Sequence, residues 1–150
     1  MKTIFNLEDN INLRERIDKL SPSSVNQWGK MNAYQMIKHC IMSERMFLGD
    51  IEYDRLFIGK LFGKMALKGI LKDNAPMKKN QPTHPAFKTE GLGDTDPLKL
   101  EWKMLIKRYF DEGENQIDGL MHPFFGLMTK EQIGVYVYKH TDHHLRQFSV

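Results

Sequence analysis

Cysteine is nearly absent: the 150 residues include one, Cys40. That excludes an internal disulfide and any metal site built from cysteine alone. Cys40 lies among apolar residues of a helical segment, where a buried, inert thiol is expected and a reducing compartment suits it. Long apolar runs are missing too. No stretch approaches the ~18 uncharged apolar residues of a membrane span, and Met1-Lys2-Thr3-Ile4-Phe5 opens no signal-peptide run. The expectation is a cytoplasmic protein with no membrane partner. Charge of one sign is scarce: 22 Lys and Arg against 19 Asp and Glu leave +3, too little to argue for nucleic acid. Strand signals are missing as well, because Val135-Tyr136-Val137-Tyr138 is short and flanked by helical periodicity and caps. What remains is an ordinary globular composition, 41% hydrophobic and 27% charged, in a length that fits one domain over residues 1–150.

Helical periodicity dominates that domain. Asn6 to Leu20 reads as a short amphipathic helix with Leu13, Ile17 and Leu20 on one face. Asn32 and Gln35 form a capping-box signature for a second helix to about Leu48, apolar on two sides and carrying His39 on its second face. A third helix is expected over Asp54 to Leu71, with Lys60, Lys64, Lys68 and Lys72 as its polar edge. Such a basic amphipathic helix could lie on an anionic membrane or dock an acidic partner, but a solvated bundle face is the favoured reading. Gly59 and Gly63 require either close packing there or an irregular helix. Asp73 to Thr95, with three prolines and no period, reads as a long loop in which His84 is exposed. Asp96-Pro97 opens a fourth helix through Phe110, with Asp96 as its N-cap. His122-Pro123-Phe124-Phe125-Gly126 belongs to an aromatic loop, where His122 either reaches a pocket mouth or holds a turn. Thr129 and Gln132 then cap the last helix, which runs to Phe148. The architecture expected is all-α and bundle-like, with four long helices and a short N-terminal one.

The last helix carries the chemistry. His140 and His144, four residues apart, stand one above the other about 40° apart around the axis. They share a face roughly 120° wide with Ile133, Tyr136, Val137, Gln147 and Phe148, so both rings point inward. Inward imidazoles need partners, either hydrogen bonds or a metal ion. The residues between them, Thr141, Asp142 and His143, lack the glutamate of the H-E-x-x-H zinc-protease helix, which disfavours that chemistry. A third ligand must come from elsewhere, and His39 on an inner helix suits bundle geometry better than the loop histidines His84 and His122.

Two segments, Met31-Asn32-Ala33-Tyr34-Gln35-Met36-Ile37-Lys38-His39-Cys40 and Tyr138-Lys139-His140-Thr141-Asp142-His143-His144-Leu145-Arg146-Gln147-Phe148, carry a family resemblance. They resemble the DinB/YfiT-like superfamily of proposed metalloenzymes, and more narrowly an uncharacterised branch that is also similar around Trp28-Gly29-Lys30 and His122-Pro123-Phe124-Phe125-Gly126. The resemblance implies a four-helix bundle, with an additional short helix and a long inter-helix loop, that holds a divalent metal on His39, His140 and His144. It also implies a thiol-dependent transferase or a metal-dependent hydrolase, and makes a homodimer plausible; membership alone does not fix the reaction.

Three neutral imidazoles leave coordination positions open, as catalytic rather than structural sites do, and imidazole accepts zinc, nickel, iron or manganese. Such a site would serve hydrolysis of a small-molecule substrate or activation of a low-molecular-weight thiol cosubstrate. His143, beside a ligand, is the candidate proton-transfer or substrate-orienting group, weighed against a solvent-facing or capping role. Alternatives from other classes are a non-catalytic metal or small-ligand binding bundle, and a bundle that docks a partner through the lysine ladder.

Overall fold

The computed structural model describes all 150 residues. In chain order its helices are α1 (Leu7–Asp18), α2 (Ala33–Phe47), α3 (Phe57–Ile70), α4 (Asp96–Glu112) and α5 (Lys130–Gln147). A single helical turn, Pro85–Phe87, interrupts the segment between α3 and α4, and another, Glu114–Ile117, follows α4. The chain is mostly helical, and no helix is long and apolar enough to cross a membrane.

The caps form as their residues dictate. The Asn32 side chain accepts from the Gln35 amide while the Gln35 side chain accepts from the Asn32 amide, and Thr129 and Gln132 repeat the exchange. Each closes two orphan donors of a helix start. At α4 the cap lies one residue earlier than expected: Thr95 is the N-cap, Asp96 opens the helix and Pro97 follows it. Gly113, at φ 77°, ends that helix.

Helix α1 packs on α4 and α5, and α2 packs on the same two helices. Between them lies one core of 26 buried hydrophobic residues, including Leu13, Ile37, Phe47, Trp102, Ile106 and Val137. Helix α5 is its centre. It is buried from Tyr136 through Leu145 on every side, not along one stripe. That burial takes in Asp142, which is neutralised by Arg16 and Arg146 at 2.7 Å each. Lys139 is also buried, and its amine donates to the carbonyls of Ile70 and Asp73. Buried charge persists here because each group has partners.

Two finer expectations need correction. The mostly helical fold also carries strands where none were expected: Leu120–His122 (β1) and Gly126–Met128 (β2) form a small antiparallel hairpin, with Met121 opposite Leu127. Its strands are three residues each, too short to show an alternation of period two. The hairpin rests on its turn, where His122 Nδ1 accepts the amides of both Phe124 and Phe125 at 3.1 Å.

Helix α3 also differs. It begins at Phe57 rather than Asp54, because the Leu56 amide is drawn in extended conformation to the Pro123 carbonyl at 3.0 Å. More consequentially, α3 turns most of its apolar side outward and docks by its glycine edge. Gly59, Gly63 and Leu67 are buried, whereas Phe57, Ile58, Leu61, Phe62 and Met65 are exposed. A Cβ on Gly63 would stand 2.0 Å from the Phe124 carbonyl oxygen, and one on Gly59 2.4 Å from it. The glycines therefore mark close packing on the hairpin turn, not an irregular helix.

Candidate metal centre

His39 on α2 and His140 and His144 on α5 come together in the core, with ligating atoms all within 4.8 Å of one another. The His39 and His140 Nε2 atoms are 3.2 Å apart, and the His144 ring centroid lies 4.8 Å from that of His39 and 4.7 Å from that of His140. Nitrogens sharing a tetrahedral ion at 2.0–2.1 Å stand about 3.3 Å apart, which the His39–His140 pair matches, and all the ligating atoms lie within 4.8 Å. All three residues are buried, His39 at 4%, His144 at 7% and His140 at 8% exposure.

The outer nitrogens fix which tautomers face inward. His39 Nδ1 donates to the Phe87 carbonyl at 3.1 Å, so its Nε2 carries a lone pair. His144 Nδ1 donates to Gln147 Oε1 at 2.9 Å, while the Gln147 amide nitrogen donates to the Trp28 carbonyl at 2.7 Å and fixes the amide's orientation. Gly29 follows Trp28 for a physical reason. Its φ is 79°, and a Cβ there would meet the Gln147 nitrogen at 2.6 Å. The Trp28-Gly29 segment is thus shaped to hold the residue that holds His144.

His140 has no such partner; its Nδ1 is buried without a hydrogen bond. If its proton is on Nε2, it donates to His39 and leaves a bare lone pair at Nδ1. If the proton is on Nδ1, two lone pairs face each other at 3.2 Å and the N–H is unpaired. Either arrangement leaves buried polar atoms unsatisfied, at roughly 1–3 kcal/mol each. A cation between the lone pairs relieves the second arrangement, so the residues present fit a divalent ion. Burial, reinforced by the neighbouring histidines, holds His140 and His144 well below the ordinary imidazole pKa. Burial also lowers His39, against the opposing bond to Phe87. Neutral imidazole is the ligating form.

The other histidines divide. His143 does not face solvent: its ring is 5.5 Å from Trp28 and 5.2 Å from His144, and burial lowers its pKa. It therefore adjoins the cluster without joining it. His122 is buried against Phe125 and Phe47 as the acceptor of the hairpin turn, and burial drives its pKa down to about 3. His84 is half-buried rather than exposed, because its loop folds back over the site. Its Nδ1 accepts the Ala86 amide at 3.0 Å, and its ring lies 5.6 Å from that of Phe87.

Several site residues carried no chemical signal of their own. Phe87 serves through its backbone carbonyl, which no side-chain pattern announces. The Lys79 amine lies 4.3 Å over the Trp28 ring and so joins the same loop to the face beside His143. Glu44 is 1% exposed, and accepts from the Tyr109 hydroxyl at 2.7 Å and the Thr141 hydroxyl at 3.2 Å. Burial pushes its carboxyl up to about 7, against the pull of those hydroxyls. Flanked by Ser43 and Arg45, it has no sequence feature that marks a core carboxyl.

These features define a class: a mostly helical protein with a buried three-histidine cluster shared by two core helices. The chain belongs to a family described as a protein of unknown function (DUF1569), whose model matches residues 3–150. Neither a curated protein nor a solved structure matches the chain.

Proposed function

We propose that the chain is a metal-dependent enzyme of the DinB/YfiT-like four-helix-bundle type, acting on a small molecule as a hydrolase or thiol S-transferase. His39, His140 and His144 would hold one divalent transition ion, whether zinc, nickel, iron or manganese. The observation that carries this reading is the convergence of His39 and His140 Nε2 at 3.2 Å while the Nδ1 atoms of His39 and His144 are already engaged. Mutual packing of α1, α2, α4 and α5 supports the bundle type.

When bound, the ion supplies Lewis-acid chemistry suited to hydrolysis or to activating a thiol cosubstrate. The chain's own groups do the rest. Phe87 and Gln147 orient two ligands and raise their basicity, as second-shell acceptors do. Phe87 and Tyr136 lay aromatic surface against His39 and His140, and Trp28 does the same for the adjoining His143. His143, set against Trp28 beside His144, is assigned the proton-transfer or substrate-orienting role.

A second reading has one observation in its favour. Each ligand residue is less than a tenth exposed, which suits a bundle that holds a metal or small ligand without turning over substrate. Elemental analysis of protein purified without a metal-chelating tag tests both, beside His39→Ala and His140→Ala. About one equivalent of a transition metal, lost in both variants with helicity retained, is expected. Turnover of ester, amide or thiol-conjugate substrates that disappears in His140→Ala separates enzyme from binder. If the native protein binds none of zinc, nickel, iron or manganese after reloading, the ligand assignment fails.

A further inference from the structure

Helix α3 plays no part in the histidine cluster, and its outward face needs a separate account. Phe57, Ile58, Leu61, Phe62 and Met65 are 75%, 55%, 65%, 50% and 69% exposed. At about 100° per residue they fill one continuous arc of roughly 140°. Together they expose on the order of 600 Å² of side chain, the upper end of what monomeric proteins leave open. The helix cannot turn to bury this face, because its opposite edge is fixed to the hairpin through Gly59 and Gly63.

Charge identifies the occupant. Lys60, Lys64 and Lys68 are exposed on α3, Lys72 continues the series just beyond it, and the helix contains no Asp or Glu. Only Lys72 has an acidic neighbour, Asp73 at 3.6 Å, while the Lys64 amine donates to the Leu127 carbonyl. Each four-residue step advances the ladder about 40° around the axis, from roughly 60° outside the apolar arc at Lys60, near its rim at Lys64, to inside it at Lys68. A second copy of the chain fits this face poorly. Antiparallel two-fold pairing of α3 sets one ladder against the other with no acid on either helix, and lysine is depleted at interface cores. An anionic bilayer surface fits: it takes apolar side chains to shallow depth, and long lysine stems reach its phosphates from beside the arc or from within it.

We infer that α3 is a lipid-docking element that lies in the plane of an anionic membrane surface, with Phe57, Ile58, Leu61, Phe62 and Met65 inserted and the lysines at the lipid phosphates. This takes up the membrane alternative that the lysine ladder offered, in place of the favoured solvated face and the expectation of no membrane partner. It is independent of the metal reading.

Flotation of the full chain with phosphatidylcholine vesicles, with and without phosphatidylglycerol, tests it. Binding to the anionic vesicles is expected, with weaker binding to neutral ones and a steep loss with salt. At about fivefold per lysine, the double variant Lys60→Gln/Lys68→Gln should bind roughly 30-fold more weakly. Leu61→Asp should not float at all. All three positions are exposed, so the variants should keep wild-type helicity, read by circular dichroism. Absence of flotation, equal binding to neutral vesicles, or a Leu61-dependent dimer in light scattering that stays off vesicles overturns the inference.

Discussion

Glu44→Gln should change how stability depends on pH. The Glu44 carboxyl is enclosed in the core with two hydroxyl donors and no cation, and its pKa is raised from 4.5 to about 7. A carboxyl whose folded pKa exceeds its unfolded value binds protons more tightly in the native state. Between about pH 4.5 and about pH 7 the native state therefore carries more protons, and stability falls as pH rises. At 1.36 kcal/mol per pH unit the loss across that window is about 3 kcal/mol. The buried histidines act in the opposite sense. With folded pKa values below 6.5, they cost stability as pH falls below that value and mask the Glu44 slope. The informative quantity is the difference between wild type and Glu44→Gln, in which the histidine contribution cancels. Glutamine retains the shape and an acceptor, and the Tyr109 hydroxyl can turn to accept from its N–H. Urea unfolding of both proteins in chelator, across the window and on either side of it, gives this difference. Relative to wild type, the variant should gain about 3 kcal/mol from the acid side to the alkaline side. A difference that does not vary with pH would refute the account of Glu44 as a carboxyl kept neutral by burial.

Further expectations follow from single contacts. Gln147→Ala removes the acceptor for His144 Nδ1 and the donor to the Trp28 carbonyl; metal affinity should fall about 10–100-fold, by competition with a chelating dye, and the metal-free protein should lose about 1–3 kcal/mol in thermal unfolding. Gly63→Ala places a Cβ at 2.0 Å from the Phe124 carbonyl; it should destabilise by about 1–3 kcal/mol in thermal unfolding and open the α3 flanks to protease. Gly69→Ala, with nothing within 4 Å of the added Cβ, is the matched control and should stabilise by up to about 1 kcal/mol.

The contrast between those two glycines shows what a sequence conveys. Both interrupt the same helix pattern, and only the hairpin turn, more than fifty residues later in the chain, distinguishes them. The caps at Asn32 and Thr129 were readable because both partners of each hydrogen bond lie within three residues. The geometric pairing of His140 with His144 was readable for the same reason: helical pitch sets it. His39 was reachable by elimination and resemblance, because an inner helix limits where an inward imidazole can point. The orientation of α3 was not readable. A strong apolar periodicity shows that a helix has two sides, but not which side meets the protein. The hairpin was hidden by its brevity, and the acceptor for His39 because every residue owns a carbonyl.

The bond from His39 to Phe87 joins the histidine cluster to a segment far from it in sequence. One ligand is oriented from within its own helix, since Gln147 is a turn away from His144; the other depends on where residues 73–95 rest. Displacing that segment would withdraw the acceptor from His39 and so weaken its hold on the proposed ion. By thermodynamic reciprocity, an ion bound at the proposed site would favour the observed His39–Phe87 contact by the same free energy. For an ion held as proposed, occupancy of the cluster and the resting place of Phe87 would then be a single coupled equilibrium.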